Sequence, residues 1–200
     1  MFTLITNWYH EPDEARRAEL IYCLNRNLEH RYIGCIWLLV EGKPEVPKHP
    51  KIRVRHFAYR PLFKDMITLA NEQPDIVALA NTDIYFDETL AMAQFIKPHE
   101  CYALTRWDVD MRNALRFYGK KCSQDAWIFQ PPLDITGGNY TAGKPGCDNK
   151  LAWEMAESGR RVTNPSKTIK SCHLHLTNLR RYSRAEAVPG PYLTLKPTYL

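Results

Sequence analysis

An apolar run, Asp75-Ile76-Val77-Ala78-Leu79-Ala80, delivers a polar triplet, Asn81-Thr82-Asp83. Residues two apart on a strand point to the same side, so Asn81 and Asp83 can act together. Two oxygen donors on one side suit a hard divalent cation that also holds phosphate oxygens. The same triplet suits a turn or a helix cap, because Asn and Asp side chains bond nearby backbone groups. A second pattern stands late in the chain, Cys172-His173-Leu174-His175. Two histidines at i and i+2 on a strand share a face. Imidazole binds manganese or zinc, and its protonated form pairs with phosphate. One packed and one exposed histidine is the plainer alternative.

Two further carboxylates stand beside suggestive neighbours. Pro145-Gly146-Cys147-Asp148-Asn149 closes a glycine-rich stretch and opens a helix. Asp148 can cap that helix. It can equally point an ionised carboxylate into a cleft, as a base or as an anchor for sugar hydroxyls. Ser123-Gln124-Asp125-Ala126-Trp127 sets a second carboxylate next to an aromatic side chain, an arrangement common at sugar sites.

The elements that position these residues follow from hydrophobic spacing. Phe2–Thr6 predicts a first strand. Asp13–Leu28 predicts an amphipathic helix, with Leu20, Ile21, Leu24 and Leu28 on one stripe and Pro12 near its start. Ile33–Val40 is apolar throughout, as in a strand buried on both faces. The proline-rich 41–50 stretch is a loop, and Ile52–Phe57 alternates as a strand does. Pro61–Glu72 and Glu88–Ile96 read as helices, and Asp75–Ala80, Tyr102–Arg106 and Ala126–Phe129 as strands. Residues 134–147 hold four glycines and form an irregular loop of the kind that borders sites. Asn149–Ser158 is helical with Gly159 as its stop signal. Arg161-Val162 and Ile169–Leu176 are the last strands, and 189–200 runs extended, over the surface or towards a further domain of a longer protein. Buried strands alternating with helices predict an α/β domain with a largely parallel sheet. Ligands of such sheets lie beyond the carboxyl ends of the strands.

Composition narrows the classes. The chain has 200 residues, which suits one domain spanning 1–200. It is 44% hydrophobic and 24% charged, which excludes intrinsic disorder and collagen-like repeats. No apolar run reaches the ~20 residues of a membrane helix. Met1–Asn7 has neither a basic n-region nor a long apolar h-region, so no signal peptide is expected and a cytoplasmic location is. With 27 Lys+Arg against 22 Asp+Glu the chain is mildly basic. The basic pairs Arg16-Arg17, Lys120-Lys121, Arg160-Arg161 and Arg180-Arg181 are scattered. That favours a small phosphate pocket over a nucleic-acid stripe. The six cysteines form no C-x-x-C and read as free, buried thiols.

Together these residues resemble the nucleotide-sugar-dependent glycosyltransferases of the GT-A fold. Asn81-Thr82-Asp83 stands where the D-x-D motif stands in that family. Cys147-Asp148-Asn149 with the following helix, Gly159 and Asn164-Pro165 resembles its late acidic motif. A C-terminal histidine often completes the family's metal site. The resemblance runs from Thr6-Asn7 to Tyr182 and extends to compact domains of bacteria and large algal viruses. One such domain opens a multidomain chlorella-virus protein. The first aspartate of the motif is Asn81 here, leaving Asp83 as its charged ligand.

The resemblance implies a single GT-A-like domain, Rossmann-related, with a mostly parallel mixed sheet between helices. It implies transfer of a hexose or deoxyhexose from a UDP-sugar to a glycan acceptor, leaning towards retention. If viral, the enzyme would act in the host cytoplasm. Thr6, Asn7 and Trp8 would line base and ribose. Arg60 would reach the nucleotide or diphosphate, alongside Asn81, Thr82 and Asp83. Asp83 with His173 or His175 would hold Mn²⁺ or Mg²⁺, and Asp125 and Asp148 would face sugar and acceptor. Three alternatives stand beside it. A nucleotidyltransferase of related fold would want a Gly-rich, Lys/Arg-bearing N-terminal loop. A carbohydrate-binding module needs no Asn-Thr-Asp at a strand end. A zinc hydrolase would want a further upstream histidine cluster.

Overall fold

The computed structural model describes residues 1–177, 179 and 183–200. The pair Arg180-Arg181 and Tyr182 therefore lie outside the described residues. In chain order the elements are β1 (Phe2–Trp8), α1 (Glu14–Glu29), β2 (Ile33–Glu41), β3 (Ile52–Phe57), α2 (Phe63–Ala70) and β4 (Ile76–Ala80). β5 (Ile84–Phe86), a 3₁₀ helix (Glu88–Phe95), β6 (Glu100–Leu104), β7 (Trp107–Val109), β8 (Leu115–Phe117) and β9 (Ala126–Phe129) follow. α3 (Cys147–Glu157), β10 (Arg161–Thr163), β11 (Ser171–His173) and a short 3₁₀ turn (Arg184–Glu186) complete them.

The apolar runs become the central sheet, ordered β10-β6-β9-β4-β1-β2-β3. β1 pairs parallel with β2 and β4, and β2 with β3. β9 enters antiparallel between β4 and β6. Both faces are covered, which is why these strands read as continuous apolar runs. In β1, Phe2, Leu4 and Trp8 join the core under α1, with Leu20, Leu24 and Leu28. Ile5 points the other way, into the core that holds Phe63, Met66 and Leu69 of α2 and Leu151 and Met155 of α3. In β9, Ile128 and Trp127 divide between the two cores in the same way.

A second sheet, β5-β11-β7-β8, was not foreseen. Of its strands only β11 lies within an expected one, and the expected 169–176 strand shrinks to three residues. Strands of three residues carry too little alternation to be recognised, and their pairing is non-local. Cys172 and His173 of β11 lie opposite Tyr85 and Ile84 of β5 and beside Trp107 and Asp108 of β7.

Helix α1 starts as expected: Asp13 caps it by accepting from Arg16 N at 2.8 Å. The 189–200 run is extended, yet it is tied to the body. Leu193 N bonds Asn149 O at 3.0 Å, Leu195 N bonds Lys121 O at 2.9 Å, and Thr198 N bonds Asn164 O at 2.8 Å. All six cysteines are free; Cys23, Cys101, Cys147 and Cys172 are buried, and Cys122 is exposed. No helix among the described residues is long and apolar enough to cross a membrane.

Candidate active site

Beyond the carboxyl ends of β1 and β4 lies a cleft of about 490 Å³, where such sheets bind ligands. Asn81, Asp83, His173 and His175 line one part of it, and Asp125 and Asp148 also face it. The cations Arg16, Arg60, Arg106, Lys120 and Lys144 line it as well.

Asn81 and Asp83 do not share a strand face. β4 ends at Ala80, and the triplet is a turn in which Ile84 N bonds Asn81 O at 3.1 Å. Here the chain leaves the central sheet and enters β5 of the second sheet. The side chains consequently go to different partners. Asn81 Nδ2 donates to Asp125 Oδ1 at 3.1 Å, and Thr82 Oγ1 donates to Asn7 O at 3.0 Å. Asp83 Oδ2 meets His173 Nε2 at 3.2 Å and the Arg16 guanidinium. The expected joint action of Asn81 and Asp83 on one cation thus gives way to Asp83 acting with the histidines.

The carboxylate oxygen of Asp83 and ring nitrogens of His173 and His175 all lie within 4.8 Å of one another. The rings of the two histidines are 5.6 Å apart. His173 ends β11, and His175 follows beyond the strand. On its far side, His173 Nδ1 contacts Asp108 Oδ1 at 2.9 Å. Burial opposes charge on His173, but Asp83 and Asp108 outweigh it and lift its pKa to about 9. Burial alone would raise Asp83; His173 and Arg16 reverse this and hold its carboxyl far below the usual range. Burial, helped by Arg16, lowers the pKa of His175 below its ordinary value.

These residues fit a divalent ion. The Nε2 of His175 is buried without a hydrogen-bond partner among the described residues, on a ring that belongs to the cluster. One carboxylate and two imidazoles form a donor set for Mn²⁺ or Zn²⁺ more than for Mg²⁺, which prefers oxygen. A bound ion would replace the proton on His173 Nε2.

In the same cleft, Asp125 is buried and holds Asn81, Ser123 Oγ at 3.3 Å and Arg106 Nη1 at 3.5 Å. Asp148 is not the cap of α3. Gly146 occupies that position with φ +80°, a backbone region open to glycine, and Asp148 is the second helical residue. Its Oδ2 accepts from Gln124 N at 3.1 Å. Burial outweighs that bond and raises the Asp148 carboxyl to about 6. Such a carboxyl exchanges a proton near neutrality.

On the donor side, strand alternation sorts the expected residues. Asn7 and Tyr9 line the cleft, whereas Thr6 and Trp8 do not. Trp8 is in the core and its indole donates to Glu45 O at 2.9 Å. Arg60 reaches the cleft while donating to Ala142 O at 3.0 Å. Sequence reasoning missed Tyr9, Arg106, Asp108 and, as a site residue, Arg16. Arg16 did leave a signal. With Glu19 it lies on the apolar stripe of α1, at i and i+3 beside Leu20 and Cys23, and a charged pair there must find buried partners.

The seven-stranded, mostly parallel sheet between helices builds a GT-A-like α/β fold. Solved structures agree. The chain superposes on a mannosyltransferase, PcManGT from Pyrobaculum calidifontis, solved with GDP-Man and Mn²⁺. The TM-score is 0.60 at 14% identity, over 90% of this chain and 58% of that one. It is similar to S. aureus TarS 1-349, solved with UDP-GlcNAc, at TM-score 0.59 and 12% identity, over 94% of this chain and 61% of that one. The chain thus spans about three fifths of these proteins. No protein-family model and no curated protein matches it.

Proposed function

We propose that the chain is a metal-dependent glycosyltransferase that moves a hexose or deoxyhexose from a UDP-sugar to a glycan acceptor. The observation that carries this is one cleft, at the carboxyl ends of β1 and β4, holding both a metal-type donor set and a carboxyl raised towards neutrality. Asp83, His173 and His175 would hold Mn²⁺, or less readily Mg²⁺. The ion would supply Lewis-acid stabilisation of the departing diphosphate. Arg60, Lys120 and Lys144 face the cleft without a carboxylate salt bridge among the described residues. They are free to neutralise phosphate charge. Asn7 presents a side-chain oxygen without a partner among the described residues, which suits an N–H of a base. Asn81 and Thr82 shape the donor floor, and Thr6 and Trp8 support it from below. The solved relatives carry GDP-Man and UDP-GlcNAc; our preference for UDP, and the likeness to algal-virus domains, rests on the sequence motifs.

The resemblance leans towards retention, with Asp148 orienting the acceptor and Asp125 facing the sugar. The position of Asp148 favours a second reading, inversion. A buried carboxyl with pKa of about 6 is suited to take the acceptor hydroxyl proton as the new bond forms.

Thermal melting with UDP or GDP, each with and without Mn²⁺, tests the proposal. Stabilisation by UDP that needs Mn²⁺ is expected. A response to sugar alone would point instead to a carbohydrate-binding module. The anomeric configuration of the product, read by NMR, separates retention from inversion.

A further inference from the structure

We propose that Asp108 is the positioning residue of the metal site, holding the His173 ring so that Nε2 faces Asp83 and the ion. This rests on the metal-dependent reading above. An imidazole offers a lone pair to a metal at one nitrogen only when the other carries the proton. A carboxylate on that second nitrogen fixes the tautomer, sets the ring plane and raises the basicity of the ligating atom. Asp108 stands in that place, with Oδ1 2.9 Å from His173 Nδ1, while Nε2 lies 3.2 Å from Asp83 Oδ2.

The backbone enforces the arrangement. In the second sheet His173 is in parallel register with Asp108 of β7 and in antiparallel register with Ile84, the residue after Asp83. Strand pairing sets Asp108 beside His173, and the turn leading into β5, tied by Leu174 N to Asp83 O at 3.0 Å, brings the Asp83 carboxylate to the other side of the ring. Asp108 is itself anchored, since Arg106 Nε donates to its Oδ1 at 2.8 Å. The Arg106 guanidinium lies 4.2 Å from the Tyr118 ring centroid and reaches Asp125 Oδ2 at 3.5 Å. Asp108 is absent from the residues lining the cleft, so it acts through His173. His175 shows no comparable anchor among the described residues, which leaves His173 as the oriented ligand of the two.

The test measures Mn²⁺ binding in the presence of UDP, by the electron paramagnetic resonance signal of free Mn²⁺. It compares wild type, Asp108→Ala and Asp108→Asn. Asp108→Ala is expected to weaken Mn²⁺ binding roughly 10–100-fold, the range for loss of such a partner. Asp108→Asn should weaken it less, because the amide oxygen still accepts from Nδ1–H. UDP affinity without metal should be unchanged in both. In the metal-free protein, the ¹⁵N spectrum should show the His173 Nδ1–H bond in wild type and its loss in Asp108→Ala. If Asp108→Ala does not fold, Asp108→Asn carries both measurements. Unchanged Mn²⁺ affinity in a folded variant overturns the inference, as does an equal loss of metal-free UDP binding, the mark of a merely structural role. A wild type that binds no Mn²⁺ with UDP overturns the metal-dependent reading itself, and the inference with it.

Discussion

Arg16 of helix α1 closes its guanidinium on the Asp83 carboxylate, inside the turn that ends β4. The same guanidinium donates to Glu19 Oε2 at 2.7 Å and to Leu174 O at 3.0 Å. Glu19 in turn accepts from Thr177 N at 2.8 Å. One helix face therefore clamps the segment that carries His175 and also supplies a cation to the acidic ligand. Any divalent ion at Asp83 shares that carboxylate with Arg16.

Replacing Arg16 by Met removes this cation and leaves Asp83 and Glu19 buried without it. Breaking a buried pair from one side costs about 3–5 kcal/mol, and urea unfolding should show a loss of that order. The vacated Asp83 oxygen then has more to gain from Mn²⁺. Mn²⁺ should raise the melting temperature of Arg16→Met more than that of wild type. An equal or smaller rise would mean that Arg16 does not compete with a metal.

Asp83→Asn keeps the shape of the turn but removes the charge. Mn²⁺-dependent UDP binding should fall to background, because a neutral amide is a poor substitute for the one carboxylate in the donor set. His175→Ala should weaken the same binding with little loss of stability, since its Nε2 has no partner to lose among the described residues. Calorimetric titration of UDP with and without Mn²⁺ reads both. Unchanged metal-dependent binding in either variant removes that residue from the ligand set.

Asp148→Asn separates a base from a structural acceptor. Its amide oxygen can still accept from Gln124 N, and Gly146 rather than Asp148 holds the capping position. Melting and UDP binding should stay near those of wild type. Transfer should fall at least ~10²-fold, the usual cost of losing a positioned acid–base group. Steady-state kinetics at saturating donor measure it. Wild-type turnover would move the proton transfer to Asp125 or to the substrate.

His173 makes stability depend on pH in a stated direction. Its folded pKa of about 9 lies above its ordinary value of 6.5. The associated stability is therefore fully present below about pH 6.5 and is lost as pH rises through about 9. By linkage the loss is on the order of 3 kcal/mol. Asp148, with its pKa of about 6, is still titrating at the start of this scan, but it does so alike in wild type and His173→Gln, so the difference between the two profiles reads His173. Urea unfolding from pH 6 to 9.5 should show the decline in wild type, and a flatter profile in His173→Gln. Parallel profiles would show that His173 is neutral in the fold.

Long, strongly patterned segments were legible. The strand 52–57 has the bounds its alternation predicts, and α1 lies within one residue of its expected 13–28 span at each end. Asp83 and the His173–His175 pair were legible separately, as carboxylate and imidazoles near strand ends; that they stand together was an implication of the family resemblance, and the structure groups them within 4.8 Å. Asp108 was not, since nothing about Trp107-Asp108-Val109 distinguishes it from any short polar-apolar stretch.

The amino-acid sequence by itself determined the α/β class, the buried central strands and the residue types able to hold a cation. These follow from local spacing and from side-chain chemistry, which need no partner to be read. Only the tertiary structure decided which groups meet. It turned Asn81 away from Asp83, placed Asp148 two positions past the helix cap, and swung Thr6 and Trp8 off the cleft while Asn7 and Tyr9 faced it. It also built the small sheet, and the turn into it, that set Asp108 and Asp83 on either side of the His173 ring. The reason is physical: pairing between three-residue strands depends on the surrounding fold to bring them together, and a buried charge such as Arg16 takes whichever opposite charge that fold supplies.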